Sequence, residues 1–188
     1  MTHDIDPVAV RQRLHRHPEP FWREFHATSI IVEELERVGV DEVHVGRAAL
    51  AADERLGVPD EATLEKWQER AERAGAREDV LEATAGGATG VVARVDRGDG
   101  PTVGLRVDID GVTTPVRRAP FGTGEDAAWL MHAARKNGGE ATHLIVGTDH
   151  PSGHHTPTVD VDEASLNIGT EVVARAVRAV DRGARDGR

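Results

Sequence analysis

The densest group of potential metal ligands in the chain is a short polar segment, Asp149-His150-Pro151-Ser152-Gly153-His154-His155. Imidazole and carboxylate groups are the ligands that Zn and Mn sites use. The segment follows a predicted strand, and the region between a strand end and a helix start is a common place for such a site. Adjacent histidines seldom bind the same ion, and no helix carries the spacing of two His and a Glu. A solvent-exposed loop rich in histidine is therefore the alternative interpretation.

Two further pairs of carboxylates have a spacing that could serve chemistry. Asp108 and Asp110 alternate with apolar residues, so the period of two places both carboxylates on one face of a predicted strand. There they could hold a metal or share a proton, or they could only cap the strand end and bind the following loop. Glu125 and Asp126 begin a predicted helix, where the helix dipole favours negative charge without any function.

In the first half of the chain, the elements that must position these groups are mostly helical. Asp6-Pro7 has the pattern of an N-cap followed by proline at the first helical position, and a second helix is predicted from Thr28 to the stop at Gly39. Residues 40–45 are predicted to form a short strand. Residues 47–85 are polar and helix-favouring, and they give the impression of an insertion between two strands.

In the second half, strands and helices alternate. Residues 90–95 and 102–109 are rich in β-branched side chains and are predicted to pair as a hairpin through the turn-forming residues 96–101. Residues 125–136 are predicted as a helix and residues 141–147 as a strand. Asp160 and Glu163 have capping-box spacing at the head of a last helix. This order of elements favours a layered α/β domain.

Composition restricts the classes of function. The chain has 188 residues, which is in the range of one domain, and no Cys, which excludes disulfides and thiolate chemistry. Its net charge of -10 and the lack of a basic stripe argue against nucleic acid as a partner. No apolar run approaches the ~20 residues of a membrane span, and the start of the chain is acidic where a signal peptide would be basic. We therefore expect no membrane partner and a cytoplasmic location.

Several segments together resemble one family of enzymes. The first half contains Leu14-His15-Arg16-His17-Pro18-Glu19, Leu56-Gly57-Val58-Pro59-Asp60-Glu61 and Leu105-Arg106-Val107-Asp108-Ile109-Asp110. These segments resemble the N-terminal part of the aminobenzoyl-glutamate hydrolases, which belong with the indole-acetyl-amino-acid hydrolases to the dinuclear metallopeptidase group. The second half contains Gly124-Glu125-Asp126, Gly147-Thr148-Asp149, His154-His155 and Asp160-Val161-Asp162-Glu163, which resemble the end of the same family.

The resemblance implies a fold and a set of site residues. The fold would be the outer parts of a zinc-peptidase-like catalytic domain, α/β with a central sheet flanked by helices, lacking the lid or dimerisation domain. Residues 1–188 would form one shortened domain, in which residues 113–123 rejoin an N-terminal part, 1–112, to a C-terminal part, 124–188. By this match His155 is the family's last metal ligand, and Glu125 and Asp126 are a pair that lines the site. Possible neighbours are Asp108, Asp110, His150 and His154.

For the complete family, the resemblance implies metal-dependent hydrolysis of N-acyl or aminobenzoyl amino acid amides with Zn or Mn. The metals polarise the amide carbonyl and lower the pKa of a water, and a Glu moves its proton to the leaving amine. Between Val112 and Gly122 this sequence has no counterpart of the family's Cys-Gly-His-Asp ligand segment or of the Glu-Glu pair that bears the base. We therefore expect the isolated chain to be inactive. The alternatives are a non-catalytic subunit that pairs with a longer homologue and a small metal-binding module built on the His-rich loop.

Overall fold

The computed structural model describes residues 5–51, 55–107, 125–142 and 162–185. It divides into two compact units, Met1–Thr113 and Thr114–Arg188. The first unit contains α1 (Pro7–Arg16), α2 (Phe25–Val38), β1 (Glu42–Val45), a short 3-10 turn (Gly46–Ala48), α3 (Glu61–Arg73), α4 (Glu78–Ala83) and β2 (Val91–Arg94). The second unit contains α5 (Glu125–Lys136) and α6 (Glu163–Arg185). The architecture is thus mostly helical, with one small sheet.

The first two helices begin and end where local sequence signals place them, with one exception. The Asp6 side chain accepts hydrogen bonds from the backbone N–H groups of Val8 and Ala9 at 2.9 and 3.2 Å, which caps α1 as predicted. Helix α2 ends at Gly39, which adopts a left-handed φ of 73°. It begins at Phe25 rather than at the predicted Thr28, because a side chain from outside the helix satisfies its first N–H groups.

The polar stretch predicted as helical contains two helices. Asp60 caps α3 by accepting from the backbone N–H of Thr63 at 2.9 Å, and the chain leaves the helix at Gly75 with a φ of 91°. The six-residue helix α4 follows. These helices pack on α2 around a core of Phe25, Leu64, Ala71 and Leu81, with Val58, Trp67 and Ala76 at its margin. Burying each large side chain of this kind contributes about 1.5–3 kcal/mol, so this core is the main source of stability in the first unit.

The sheet has only two strands, and its pairing differs from the predicted hairpin. Strands β1 and β2 are antiparallel, with Glu42 opposite Arg94 and Val45 opposite Val91. The predicted strand at 102–109 is wrong over residues 102–107, which have no regular secondary structure, and its last two residues lie outside the described ranges. Leu105 and Val107 are 66% and 80% exposed. Their alternation is strand-like, but nothing in the described part of the first unit covers their apolar face.

The second unit holds two helices. Helix α5 has the predicted bounds and ends in Asn137-Gly138, where Gly138 has a φ of 81°. Helix α6 is headed by Asp162, whose carboxylate accepts from the backbone N–H of Ala164 at 3.1 Å. The predicted capping residue Asp160 lies outside the described ranges. In the predicted strand at 141–147, residues 141–142 have no regular structure and the remainder also falls outside. None of the described helices combines the length and the apolar character needed to cross a membrane.

Candidate functional site

The structure tests few of the predicted site residues directly. Five of them lie outside the described ranges: Asp108, Asp110, His150, His154 and His155. Within the described ranges, no group of three or more His, Asp or Glu side chains is arranged to hold a metal ion. The metal site at the His-rich loop therefore stays a prediction.

The other two predicted residues, Glu125 and Asp126, are the first two residues of α5. The positive end of the helix dipole stabilises acidic side chains in a first turn by typically 0.3–1 kcal/mol. Their position therefore fits the purely structural alternative as well as the site-lining one.

Sequence reasoning missed a buried polar cluster at the start of α2. Glu19 lies in the loop before the helix and is only 3% exposed. Its two carboxylate oxygens accept from the backbone N–H groups of His26 and Ala27 at 3.0 and 2.8 Å. Unpaired N–H groups at a helix start are the donors that a capping side chain normally satisfies. Glu19 thus caps α2 from seven residues upstream of the first N–H that it binds.

A second buried carboxylate ties this helix start to the sheet. Glu24 immediately precedes α2, and the Thr89 hydroxyl donates a hydrogen bond to its carboxylate. Thr89 stands two residues before β2, so the contact joins the beginning of α2 to the chain that enters the strand. The Thr28 hydroxyl donates to the backbone oxygen of Glu24 at 2.5 Å, which adds a third tie at the same place.

Burial dominates the electrostatics of this cluster. It raises the pKa of Glu19 from 4.5 to about 7, and the nearby Glu24 adds to the rise, while the two backbone hydrogen bonds and Arg70 act in the opposite direction. Burial also lowers the pKa of His26, as do His17 and Arg13. The His26 ring stands edge-on to that of His17, with centroids 4.9 Å apart. Its buried Nδ1 has no hydrogen-bond partner in the part of the chain that the structure describes.

The cluster has the chemistry of a structural element that also holds a proton, and it offers no nucleophile or metal-binding set. The only sequence signal for it was Glu19 directly after Pro18, inside the segment that carries the family resemblance. A capping interaction over seven residues has no local pattern comparable to the capping box, which acts over three.

No family model matches the chain. Among curated proteins, it is 41% identical over 146 residues to the indole-3-acetyl-aspartic acid hydrolase of Enterobacter agglomerans, a match that covers 73% of this chain and 32% of the relative. It is 32% identical over 182 residues to one of the named subunits of the p-aminobenzoyl-glutamate hydrolase of Escherichia coli, covering 93% of this chain and 39% of that protein. The chain therefore spans little more than a third of the length of the curated relatives that it matches.

A solved structure supports the same relationship. The crystal structure of the aminobenzoyl-glutamate utilization protein from Klebsiella pneumoniae matches with a TM-score of 0.54 and 41% sequence identity, covering 56% of this chain and 27% of that one. The identity over this shared fold is too high for a likeness of architecture alone. With the curated relatives, it confirms the resemblance found in the sequence: the chain belongs to the family of the aminobenzoyl-glutamate and indole-acetyl-amino-acid hydrolases.

Proposed function

We propose that the chain descends from a metal-dependent amidohydrolase for aromatic acyl amino acids and does not hydrolyse such amides by itself. Its relatives are named as hydrolases of indole-3-acetyl-aspartic acid and of p-aminobenzoyl-glutamate. Both compounds join an aromatic acyl group to an acidic amino acid through one amide bond. The identity of 41% to one of these hydrolases, over barely a third of its length, is the observation that carries both parts of the proposal.

The donor set is the reason for expecting no catalysis. A catalytic zinc site uses three protein ligands and keeps a fourth position open. In this sequence the family resemblance supplies one ligand, His155, and no residue matches the general base, which contributes typically 10²- to 10⁴-fold to the rate. Asp108, Asp110, His150 and His154 have the right donor chemistry for Zn or Mn, but no family match. The residues present do not make a catalytic metal site, so we assign no reaction step to them.

The first test is an arylamine-release assay on the purified chain with p-aminobenzoyl-glutamate and added Zn or Mn. We expect no release above the rate of buffer with the same metal. Metal content after dialysis is measured on the same preparation, with His155→Ala as the matched variant. Tight, stoichiometric metal together with turnover that His155→Ala abolishes would overturn the proposal.

A second candidate function is supported by the names of two relatives. The Escherichia coli protein is named as one subunit of its hydrolase, and the Haemophilus influenzae protein is named as a homologue of that subunit, which implies a partner. The present chain would then be a non-catalytic subunit that binds a longer homologue. Size-exclusion chromatography of the chain mixed with the complete Escherichia coli relative would detect such a complex. Elution of both proteins at their separate positions, at concentrations well above micromolar, would exclude it.

A further inference from the structure

The first unit presents an exposed group of aromatic, aliphatic and basic side chains next to the buried cluster. It consists of Phe21, Trp22, Arg23, Arg55 and Leu56, which we call the aromatic platform. Phe21 and Leu56 are 52% and 82% exposed. The rings of Phe21 and Trp22 lie with their centroids 4.7 Å apart at an angle of 46°. Exposed aromatic and aliphatic side chains grouped in this way often mark a binding surface.

The platform is held in place by its backbone. Trp22 has a φ of 62°, the only positive φ of a non-glycine residue in the described ranges, and such a conformation persists only where the surroundings enforce it. The indole Nε1 donates to the backbone oxygen of Leu56 at 2.7 Å. On the other side, a Cβ placed on Gly87 would stand 3.0 Å from the backbone oxygen of Trp22. The indole is therefore fixed between two segments, and little order has to be gained on binding.

Two guanidinium groups flank the rings. The Arg55 guanidinium stands 5.6 Å from the centre of the Trp22 ring and donates through Nη1 to the backbone oxygen of Gly86 at 3.0 Å. Its buried Nε has no partner among the described residues. Arg23 donates through Nε to the backbone oxygen of Phe21 at 3.1 Å. A guanidinium carries several N–H donors, so one such bond leaves others available to a carboxylate. Positive charge beside aromatic rings is a local exception in a chain of net charge -10.

We infer that the aromatic platform binds small aromatic carboxylic acids. A ligand ring would stack on Phe21 and Trp22 in the offset or edge-on arrangements that aromatic pairs prefer. Its carboxylate would accept charge-assisted hydrogen bonds from Arg55, with Arg23 as the second donor. The choice of an arylamine acid as the ligand rests on the proposed function, whereas the site itself uses none of the residues predicted to hold metal.

The experiment is isothermal titration of the purified chain with 4-aminobenzoate in the presence of a metal chelator. We expect saturable binding with a Kd of about 1 mM or tighter, the range open to a small ligand that makes one stacking contact and one ion pair. Phe21→Ala and Arg55→Gln should each weaken binding at least about fivefold. Arg73→Gln is the matched control, because Arg73 is 70% exposed on α3 away from these rings, and it should bind as the wild type does.

Ligand controls separate the two halves of the interaction. Cyclohexanecarboxylate keeps the charge without the aromatic ring, 4-aminobenzamide keeps the ring without the charge, and both should bind at least about fivefold more weakly. Arg55→Lys keeps the charge but not the planar fork and should fall between the wild type and Arg55→Gln. Circular dichroism checks that each variant is folded, which the exposure of Phe21 favours.

Binding that is unchanged in folded Phe21→Ala and Arg55→Gln, or no saturable binding at all, would overturn the inference. Equal affinity for all three ligands would do the same. These outcomes are independent of the proposed function, because the chelator removes metal and no turnover is measured. Arylamine release in the earlier assay would overturn that proposal and leave the aromatic platform standing.

Discussion

At the scale of single residues, Glu19 shows two opposing physical effects on one carboxyl group. Two backbone N–H groups at the start of α2 stabilise its ionised form, whereas removal from water destabilises it. Burial is the larger effect, so the pKa of Glu19 rises to about 7. At neutral pH the group therefore carries a proton in part of the molecules, while it still accepts both helix N–H groups.

The first prediction is a dependence of stability on pH that Glu19→Gln removes. The pKa of Glu19 is about 7 in the folded chain and 4.5 in the unfolded one, so between these values the folded state holds more protons. The free energy of unfolding therefore decreases as the pH rises from 4.5 to 7, and the contribution of Glu19 is fully present only below pH 4.5. A shift of this size corresponds to about 3 kcal/mol.

The measurement is urea unfolding at a series of pH values for the wild type and the Glu19→Gln variant. Because other groups titrate in the same range, including His26 with its lowered pKa, the informative quantity is the difference between the two proteins. Glu65→Gln, at an exposed position of α3, serves as the control and should keep the wild-type slope. A difference between wild type and Glu19→Gln that stays constant with pH would show that the Glu19 carboxyl titrates alike in both states.

At the scale of elements, glycines determine how closely α4 approaches the end of β1. Gly46 begins the 3-10 turn after β1 with a φ of 62°, and a Cβ at this position would stand 1.9 Å from the backbone oxygen of Ala83 at the end of α4. Gly39 ends α2 with a φ of 73°, and a Cβ there would meet no atom within 4 Å. The two residues share a left-handed backbone and differ in the space around them.

The second prediction uses this difference. Gly39→Ala should lower the free energy of unfolding by about 1 kcal/mol, the cost of a left-handed backbone for a residue with a Cβ. Gly46→Ala should cost about 3 kcal/mol or more, because backbone atoms of α4 must also move. Denaturant titration of both variants measures the two costs. Equal costs would mean that α4 and the turn separate easily, contrary to the close contact between them.

The sequence predicted helices better than strands, for a physical reason that particular residues show. Asp6, Asp60, Gly39 and Gly75 act within a few residues of themselves, so caps and stops could be recognised locally. Residues 102–107 alternate as a strand should, yet a strand also needs a neighbour and a covered face, which a local pattern does not contain. The partner of β2 proved to be β1, some fifty residues earlier.

The candidate sites show the same distinction between local and distant information. His155, Glu125 and Asp126 came from the family resemblance, which encodes a spatial arrangement that spacing alone does not. The cap from Glu19 to α2 and the contact from Thr89 to Glu24 join residues distant in sequence, and no motif announced them. The aromatic platform likewise joins Trp22 to Leu56 across a long stretch of chain. These contacts depend on the tertiary fold, which the sequence pattern could not supply.

At the scale of the whole molecule, the boundary between the two compact units falls after Thr113, at the start of the segment predicted to rejoin two parts of a shortened domain. That residues 1–188 behave as one domain stays a prediction. Scanning calorimetry should then show one cooperative transition. Two transitions, of which one persists in a chain ending at Thr113, would instead assign an independent fold to the first unit.

The last prediction follows from net charge. The chain carries 33 acidic and 23 Lys and Arg side chains, so ten negative charges lack a counterpart and repel one another. Salt also weakens ion pairs such as those of Arg77 with Glu36 and Asp79, but these are largely exposed, and exposed pairs contribute about 0–1 kcal/mol each. Screening of the repulsion should therefore prevail.

We expect the melting temperature to rise as NaCl increases from about 0.01 to about 1 M, over which the screening length falls from about 30 to about 3 Å. A chelator in every sample excludes an effect of trace metal at the His-rich loop. The variant Glu65→Lys/Asp99→Lys changes two exposed acidic positions, and each substitution removes two units of negative charge. It should melt higher than the wild type at low salt and gain less from added NaCl. If the wild type and this variant respond equally to NaCl, salt acts through general solvation of the protein surface and not through the excess of negative charge.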